Sequence, residues 1–351
     1  MIEGPIQTNN SGLVFYFDAK EPKSFIGKPT TNLLSNPTNE VIGTTSEFVQ
    51  YADLAPIFNT YGTSVTYSLS LDLKSKKAGS VYVYMQNGSW TKYSFVGQSV
   101  NADTVYKRFT FNGLTAAIST PTETQAILAF YGGYGSGIIA SIKNVQVEIS
   151  PAATPFVNGS RSNTQGLLDL TGNSTISLAN AGFDASSLID FNGSSNYINV
   201  PHNSTIALSN AMSWEFILYP TEISTYKSVF SKSNYGNSTG YICLHTTASS
   251  LRLEASDVAS STRYLDTSFS SVLTLNTYVF CTLTYDGSNF RLYKNGILNG
   301  TVAWTYGIGS NTADFQIGVG WPGYWKGKIE SFKIYNRSLS ASEILKNFNS
   351  Q

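Results

Sequence analysis

Short runs of alternating apolar and polar residues recur along almost the whole chain, and turn-forming residues separate them. The runs are rich in β-branched and aromatic residues, whereas Gly, Asn, Asp and Ser fill the gaps. The clearest runs are residues 13–19, 65–73, 80–86, 106–113, 125–132, 141–149, 187–193, 213–220, 241–246, 251–256, 278–287, 289–298, 315–320 and 328–336. Short strands at regular spacing indicate antiparallel sheets packed face to face. We therefore predict an all-β fold of antiparallel β-sandwiches or jelly rolls.

Two dipeptides predict consecutive hairpins. The stretch TYDGSNFRLYKNG places Asp286-Gly287 between two aromatic-rich runs, and the second run ends in Asn295-Gly296. Asp-Gly and Asn-Gly are strong signals for tight hairpin turns because they tolerate the positive φ angles that these turns require. The strands on either side of each dipeptide should therefore be neighbours in one sheet.

The stretch IYNRSLSASEILKNF, residues 334–348, carries the strongest helix-start signature of the chain. Ser340 and Glu343 have the spacing of a capping box, and Leu339 and Ile344 have that of a hydrophobic staple. A helix should begin at about Ser340. The apolar face of this helix comprises Ile344, Leu345 and Phe348. Two turns are too short to be stable alone, so we predict that this face packs on a sheet.

Composition disfavours several classes of partner. Lys plus Arg and Asp plus Glu both number 22, so the chain has no net charge to attract nucleic acid or an anionic membrane surface. The stretch MIEGPIQTNNSG lacks the basic start and apolar core of a signal peptide, and no apolar run approaches the roughly 20 residues that span a bilayer. We expect no signal peptide, no nucleic-acid partner and no membrane insertion. The two cysteines, Cys243 and Cys281, imply no disulfide framework.

Two passages interrupt the strand pattern and predict domain boundaries. Residues 148–166 contain two prolines and a cluster of Gly, Ser, Asn and Thr, and residues 19–40 form a matching passage after the first strand. The segment between them has its own set of strands and is long enough for an independent sandwich. Insertion of a domain into a surface loop adds only a modest loop-closure entropy when the ends of the domain lie close together.

Four successive stretches, residues 12–25, 189–201, 280–298 and 324–348, resemble signatures of a known family. Their order, and the strand, turn, cap and staple of the last one, resemble the laminin G-like jelly roll of the concanavalin A-like lectin/glucanase superfamily. The resemblance implies that the first strand and the strand before the helix lie in one sandwich, with the helix packed on its edge. We accordingly expect a discontinuous jelly roll formed by residues 1–28 and 161–351.

Residues 29–160 are similar to carbohydrate-binding-module-like sandwiches, and we expect them to be inserted in a loop of the jelly roll. The pairing of the two domains, with the exit sequence ATPFVNGSR, resembles structural proteins of tailed bacteriophages. The resemblance implies a capsid decoration, fibre or tail appendage, made in the bacterial cytoplasm and located on the virion surface. Its expected partners are other virion proteins, further copies of itself and bacterial surface polysaccharide. A free carbohydrate-binding lectin, or an accessory protein of glycan degradation, is the alternative.

The sequence offers little support for catalysis. It has only two histidines, His202 and His245, and no H-E-x-x-H motif. Glycoside hydrolysis needs two suitably placed carboxylates. The nearest candidates, Glu254 with Asp257 and Glu215 alone, do not reproduce the E-x-D-x-x-E arrangement of the superfamily's glucanases. We predict no catalytic residues and a protein that is not an enzyme.

A calcium ion is the one cofactor that the resemblance suggests, because related jelly rolls often carry calcium on a rim loop. The segment FNGSSNYI offers Asn192 and Asn196 where related segments have Asp, and Asp190 precedes it. Neutral oxygens alone bind calcium weakly. We prefer turn-forming asparagines without a cofactor, and a calcium site at these three residues is the alternative.

Carbohydrate binding requires a flat aromatic face surrounded by amides and hydroxyls. Aromatic residues on or near loops are the candidates, and Trp321 and Tyr134 rank first because glycine or proline surrounds them. The candidates are Trp90, Tyr131, Tyr134, Trp304, Tyr306, Trp321 and Tyr324. Core packing or a subunit interface is the alternative for each of them. Core packing is preferred for Trp325, and Tyr82 and Tyr84 are noted as sharing one face of a strand.

Overall fold

The computed structural model describes residues 10–86, 93–118, 125–207, 209–223, 226–233, 242–257, 264–309, 311–321 and 323–351. Strands dominate these ranges, which contain two short α-helices and one 3₁₀ turn, and this confirms the predicted all-β class. In the described ranges, no helix is long and apolar enough to cross a membrane. The chain forms two compact units. Unit 1 comprises Met1–Lys28, Asn163–Asp184 and Leu188–Gln351, and unit 2 comprises Pro29–Ser162 and Ala185–Ser187.

Along the chain, the first strand belongs to unit 1, the next elements belong to unit 2, and the remaining elements belong to unit 1 again. Unit 1 begins with β1 (Leu13–Asp18). Unit 2 then contributes β2 (Thr30–Thr31), β3 (Val41–Ile42), β4 (Phe48–Asp53), α1 (Ala55–Tyr61), β5 (Tyr67–Ser75), β6 (Gly79–Gln86), β7 (Tyr93–Ser94), β8 (Gly97–Ala102), β9 (Lys107–Leu114), β10 (Ala117–Ile118), β11 (Ile127–Tyr131), β12 (Ala140–Ile149) and β13 (Ser160–Arg161). Unit 1 continues with β14 (Gly182–Phe183), β15 (Ile189–Asn192), β16 (Ile198–Val200), the 3₁₀ turn Ser204–Ile206, β17 (Met212–Pro220), β18 (Ser228–Lys232), β19 (Ile242–Thr247), β20 (Ser250–Ser256), β21 (Tyr264–Phe269), β22 (Val279–Tyr285), β23 (Asn289–Lys294), β24 (Ile297–Ala303), β25 (Phe315–Ile317), β26 (Val319–Gly320), β27 (Gly323–Tyr324), β28 (Lys326–Tyr335) and α2 (Ala341–Asn349).

Unit 2 is a sandwich of two four-stranded antiparallel sheets, ordered β4-β11-β6-β8 and β3-β12-β5-β9. Successive side chains of a strand point to opposite faces of its sheet. On β6, Val81 and Val83 therefore enter the core, whereas Tyr82 and Tyr84 lie on the outer face. The outer face of the sheet that contains β6 carries the candidate site of unit 2.

Unit 1 consists of two eight-stranded sheets. In the first sheet, β28 pairs with β1, β15 and β17. Strand β14 lies beside β15, and β22, β23 and β24 follow β17. The second sheet has the order β16-β25-β18-β19-β20-β21, with β26 and β27 attached to β18. The pairing of β1 with β28 agrees with what the family resemblance implies. Between the sheets, Phe216 stacks on Phe332 and Phe230 meets Phe332 edge-on, each at a centroid separation of 5.5 Å.

Both predicted hairpin turns are present in the first sheet. Asp286-Gly287 joins β22 to β23, and Asn295-Gly296 joins β23 to β24. Asn295 has a φ of 50° and Gly296 a φ of 78°, the left-handed conformation that Asn and Gly adopt most readily. Cys281 of β22 is fully buried in the core.

Helix α2 begins as predicted. Ser340 is its N-cap, and the Ser340 and Glu343 side chains form the capping box. Leu339 and Ile344 pack together in an apolar cluster that Phe348 joins. The prediction for Leu345 is wrong, because 44% of its surface remains exposed. The face of the helix that docks on the sheet thus comprises Ile344, Phe348 and the polar residue Asn347.

Asn347 completes a buried polar network beneath α2. The Lys333 ammonium lies 3.0 Å from the Glu215 carboxylate, and both side chains are almost fully buried. The Asn347 Nδ2 donates hydrogen bonds to Glu215 at 2.9 Å and to the Tyr335 hydroxyl at 3.2 Å. A buried ion pair is stable only when its remaining hydrogen-bonding capacity is satisfied, so α2 supplies a partner that the sheet lacks.

We expect Asn347→Ala to lower the free energy of unfolding of unit 1 by about 1–3 kcal/mol, because it removes a donor from a buried carboxylate. The measurement is urea unfolding followed by tryptophan fluorescence. Leu345→Ala, an exposed change on the same helix, is the matched control. Equal stabilities of the two variants would contradict the proposed role of Asn347.

The Glu343 carboxylate makes the stability of unit 1 dependent on pH. The Arg337 guanidinium donates to both carboxylate oxygens, at 3.0 and 2.8 Å, and holds the pKa of Glu343 at about 2 instead of 4.5. Because the pKa is lower in the folded state, the stabilisation is fully present above pH 4.5 and disappears as the pH falls towards 2.

We therefore expect the difference in Tm between the wild type and Glu343→Gln to be largest above pH 4.5 and to shrink between pH 4.5 and 2. Thermal unfolding at half-unit pH steps measures it. A difference that stays constant over this range would show that the Glu343 charge does not contribute.

Candidate functional site

The outer face of one unit 2 sheet carries a row of aromatic side chains. In the ladder register, Phe48 of β4 lies opposite Tyr131 of β11, and Tyr131 lies opposite Tyr82 of β6. Tyr84 follows two residues after Tyr82, on the same face. Neighbouring strands lie about 4.8 Å apart, so the register alone places these rings side by side.

These aromatic residues and Gln86 line a groove of about 630 Å³, which we call the tyrosine groove. Its lining residues are Phe48, Tyr82, Tyr84, Gln86 and Tyr131. Its volume lies within the roughly 300–1,000 Å³ typical of ligand sites. The rings of Tyr82 and Tyr84 stack with centroids 5.2 Å apart and an interplanar angle of 19°. The groove therefore offers a continuous aromatic surface rather than separate rings.

The residues on either side of Tyr84 are small, so no bulky side chain protrudes there. The small Ala129 lies opposite Tyr84 on one side, and Gly97 lies opposite it on the other. A Cβ atom at Gly97 would lie 3.1 Å from the Tyr82 hydroxyl, which is closer than most such contacts. A larger residue at position 97 would therefore displace Tyr82.

The polar groups of the tyrosine groove are neutral. Burial, followed by the neighbouring Tyr131 and Tyr82, raises the pKa of the Tyr84 hydroxyl, so this group stays protonated at neutral pH. The Tyr131 hydroxyl accepts a hydrogen bond from the backbone N–H of Tyr134 at 2.8 Å. At the rim, the side-chain amide of Gln50 donates a hydrogen bond to the side-chain oxygen of Gln86 at 2.6 Å. Aromatic faces flanked by amides and hydroxyls suit a neutral, ring-shaped polar ligand.

The candidates predicted in this part of the chain have different placements. Tyr131 lies in the groove. Tyr134 is 96% exposed and contacts Tyr131 through its backbone without lining the groove. Trp90 lies outside the described residues. The sequence analysis missed Phe48 and did not select Tyr82 and Tyr84, although the tyrosines alternate with valines on β6 and so face away from the core.

The predicted carbohydrate-binding residues of unit 1 also differ in their burial. Trp304 is buried in the core, and its indole N–H donates to the Gly307 carbonyl at 2.7 Å, so its assignment as a carbohydrate-binding residue is wrong. Tyr306 is exposed and meets Trp304 edge-on. Trp321 and Tyr324 border a cleft of about 310 Å³ on the second sheet. Trp325 is fully buried, as predicted.

Asn192 and Asn196, two of the three residues considered for calcium, use their side-chain oxygens within the protein. The side-chain oxygen of Asn192 accepts hydrogen bonds from the backbone N–H groups of Ser194, Ser195 and Asn196. The side-chain oxygen of Asn196 accepts one from the backbone N–H of Asn192. Burial raises the pKa of the Asp190 carboxyl. Throughout the described ranges, no group of three or more His, Cys, Asp or Glu side chains could hold a metal. The amide oxygens thus form turns and do not fit a calcium site.

The carboxylates considered for catalysis are engaged in ion pairs or buried. Glu215 pairs with Lys333, and Asp257 is buried. Glu254 lies 3.3 Å from the Arg252 guanidinium, and burial raises its pKa. None of these placements leaves two carboxylates facing a common ligand site.

The structure also brings together a pair that the sequence analysis did not foresee. The Cys243 sulfur lies 3.8 Å from the Nδ1 of His245, because residues two apart on β19 share a face. Burial raises the pKa of the Cys243 thiol to about 12 and lowers that of His245 to about 4. A thiol that stays protonated is not an activated nucleophile, so we assign the pair no catalytic role.

Comparisons with known proteins support the fold of unit 1. Residues 192–345 match the family model of the concanavalin A-like lectin/glucanases superfamily. With the two packed sheets, this match supports a jelly-roll fold for unit 1. The comparison with curated proteins found no match.

The comparison with solved structures found matches that cover about half of this chain. Domain 4 of AbnA, a GH43 extracellular arabinanase from Geobacillus stearothermophilus in complex with arabinotriose, is 20% identical with a TM-score of 0.41, over 53% of this chain and 92% of that chain. The ligand-binding domain of botulinum neurotoxin serotype D with N-acetylneuraminic acid is 19% identical with a TM-score of 0.43, over 54% of this chain and 50% of that one. This chain thus spans about half of the toxin domain. Both are distant likenesses.

Proposed function

We propose that the tyrosine groove of unit 2 binds a neutral polysaccharide. The observation that supports this function is the row of Phe48, Tyr131 and Tyr82 across three strands, extended by the stacked Tyr84. The C–H faces of sugar rings pack on aromatic surfaces, and their hydroxyls bond to amide and phenol groups at the edges. An open aromatic row on a sheet suits a chain of sugars better than a compact molecule.

A neutral ligand fits the charge pattern. Among the residues that the structure describes, the five that line the groove are all uncharged, and the whole chain has 22 basic and 22 acidic residues. Binding that relies on apolar stacking and neutral hydrogen bonds is only weakly sensitive to salt, because screening acts on charges. Acidic polysaccharides should therefore have no advantage over neutral ones.

We further propose that the chain is a non-enzymatic structural protein on the virion surface of a tailed bacteriophage. This role rests on the sequence resemblance, and it makes other virion proteins and further copies of this chain the partners. The ion-paired placement of Glu215 and Glu254 favours binding over hydrolysis. A free lectin, or an accessory protein of glycan degradation, is the alternative.

The binding function predicts a large effect of removing the stacked rings. We expect Tyr82→Ala/Tyr84→Ala to weaken binding to neutral bacterial surface polysaccharides by at least about fivefold, since each aromatic contact contributes roughly 0.5–1.5 kcal/mol and about 1.4 kcal/mol corresponds to tenfold. Isothermal titration against neutral and acidic polysaccharides measures the affinities. Tyr61→Ala, a change of an exposed tyrosine in α1 of the same unit, is the matched control. Unchanged binding by the double variant would overturn the proposed site.

The virion role is tested separately. Mass spectrometry of purified particles should detect the chain at a fixed copy number, and particles that carry Tyr82→Ala/Tyr84→Ala should assemble normally but adsorb poorly to cells. A chain that is absent from particles yet binds polysaccharide in solution would favour the free-lectin alternative.

A further inference from the structure

Three buried side chains of unit 1 lie together where α2 covers the first sheet, and we call them the Lys333 triad: Lys333, Glu215 and Asn347. Lys333 of β28 and Glu215 of β17 are direct partners in the ladder, so their side chains leave the sheet on the same face. The Lys333 Nζ lies 3.0 Å from one oxygen of the Glu215 carboxylate, and the Asn347 Nδ2 lies 2.9 Å from the other. A single carboxylate therefore bridges a primary amine and a carboxamide.

The Lys333 triad is shielded from water. The exposed fractions of the Lys333 and Glu215 side chains are 5% and 2%, and Asn347 is fully buried. The Lys333 Nζ lies 5.0 Å from the centroid of the Tyr16 ring. Tyr335, whose hydroxyl accepts a hydrogen bond from the Asn347 Nδ2, belongs to an apolar cluster that α2 joins. Exclusion of water protects reactive groups from side reactions.

Burial also changes which charge states of the triad are favourable. Two charges that are removed from water are costly, and transfer of a proton from the Lys333 ammonium to the Glu215 carboxylate replaces them with a neutral amine and a neutral acid. The neutral amine is a nucleophile because its nitrogen has a free electron pair. The neutral acid holds its proton next to the Asn347 carboxamide. A nucleophile, an electrophile and a proton carrier are thus adjacent.

A balanced reaction follows from this arrangement. The Lys333 nitrogen attacks the Asn347 Cγ, and a C–N bond forms while the electron pair of the carbonyl moves to its oxygen. Glu215 gives its proton to the Asn347 Nδ2 and takes one from the attacking nitrogen. The carbonyl is restored as the bond between Cγ and Nδ2 breaks, and Nδ2 leaves as ammonia. The product is an amide between two side chains, and no oxidant, reductant or co-reactant is consumed.

We propose that Lys333 and Asn347 become joined by this amide bond, an isopeptide cross-link between β28 and α2, with Glu215 as the group that carries the proton. The reaction occurs once in each chain and uses only the chain's own side chains. Fixed proximity of the reacting groups replaces an external catalyst, because it removes the entropic cost of bringing them together. The inference goes beyond the proposed function, since it concerns the covalent structure of unit 1 and involves no ligand.

The buried Lys232 shows what the triad adds to a buried amine. The Lys232 Nζ donates a hydrogen bond to the Ala313 carbonyl at 2.6 Å and lies 3.1 Å from the Nδ1 of His202. These two partners supply neither a side-chain carboxamide nor a carboxylate that could carry a proton. We therefore expect Lys232 to remain unmodified, which makes it an internal control.

The cross-link has a structural consequence for α2. It would close a loop of about 15 residues, and a link of this kind restricts the unfolded chain as a disulfide does. Unlike a disulfide, an amide is not cleaved by reducing agents. A helix of about two turns, which is unstable alone, would then stay attached to the sheet.

The test is mass spectrometry of the full chain after incubation of the folded protein for several days. We expect an intact mass about 17 Da below that of the sequence, which corresponds to one ammonia. Trypsin does not cleave after an acylated lysine, so the digest should contain residues 329–337 joined to residues 347–351.

Two variants and a matched control assign the roles. Lys333→Arg keeps the positive charge, but a guanidinium that stays protonated is not a nucleophile. Glu215→Gln removes the proton carrier. Both variants should lack the linked peptide, whereas Asn349→Ala, a change of an exposed residue in the same helix, should retain it. Circular dichroism shows whether each variant is folded.

The wild type alone decides whether the bond exists, whatever the stability of the variants. Separate peptides 329–333 and 347–351 as the main products would disprove the cross-link. A loss of about 17 Da confined to Asn347 would also disprove it, because that loss indicates cyclisation of Asn347 onto its own main chain. A linked peptide that persists in folded Glu215→Gln would refute the role of Glu215.

Discussion

Strand β28 is the element on which unit 1 depends. It pairs with β17 along one edge and with β1 and β15 along the other, so that the first sheet has no continuous path without it. Its inward residue Phe332 meets aromatic rings from β17, β18 and β25. The segment that completes the fold therefore comes late in the chain, and contacts of such high sequence separation are formed slowly.

The ion pair between Glu215 and Lys333 shows how α2 contributes specificity as well as apolar surface. Both residues lie in adjacent strands of the first sheet, where a charge without partners would be strongly unfavourable. Asn347 meets the second oxygen of the carboxylate only when the helix begins at the position that the capping box defines. The local signal at Ser340 and the buried pair thus require the same placement of α2.

Much of the fold could be predicted because it follows from local chemistry. The turns at Asp286-Gly287 and Asn295-Gly296 and the cap at Ser340 depend on residues that are neighbours in the sequence. The candidate sites depend on contacts between distant residues. The alternation on β6 indicates which side chains share a face, but Phe48 and Tyr131 join Tyr82 only through the strand register.

Other predictions failed or stay open for the same physical reason. Trp304 follows a strand in a glycine-rich stretch, which suggests exposure, yet its indole fills a space in the core that only the packed sheets define. Leu345 has the spacing of the helix face that packs on the sheet, but the contact between helix and sheet is too narrow to cover it, so its side chain remains exposed. The insertion of one sandwich into a loop of the other, and the virion role, stay predictions.

The alternation of side chains along β6 has a consequence for how this protein could change over time. Val81 and Val83 pack in the core, while Tyr82 and Tyr84 line the tyrosine groove, so core and groove residues alternate along one strand. Substitutions at the two tyrosine positions therefore change the surface of the groove and leave the buried side chains of β6 in place. The outer face could thus diversify one residue at a time while the sandwich itself persists.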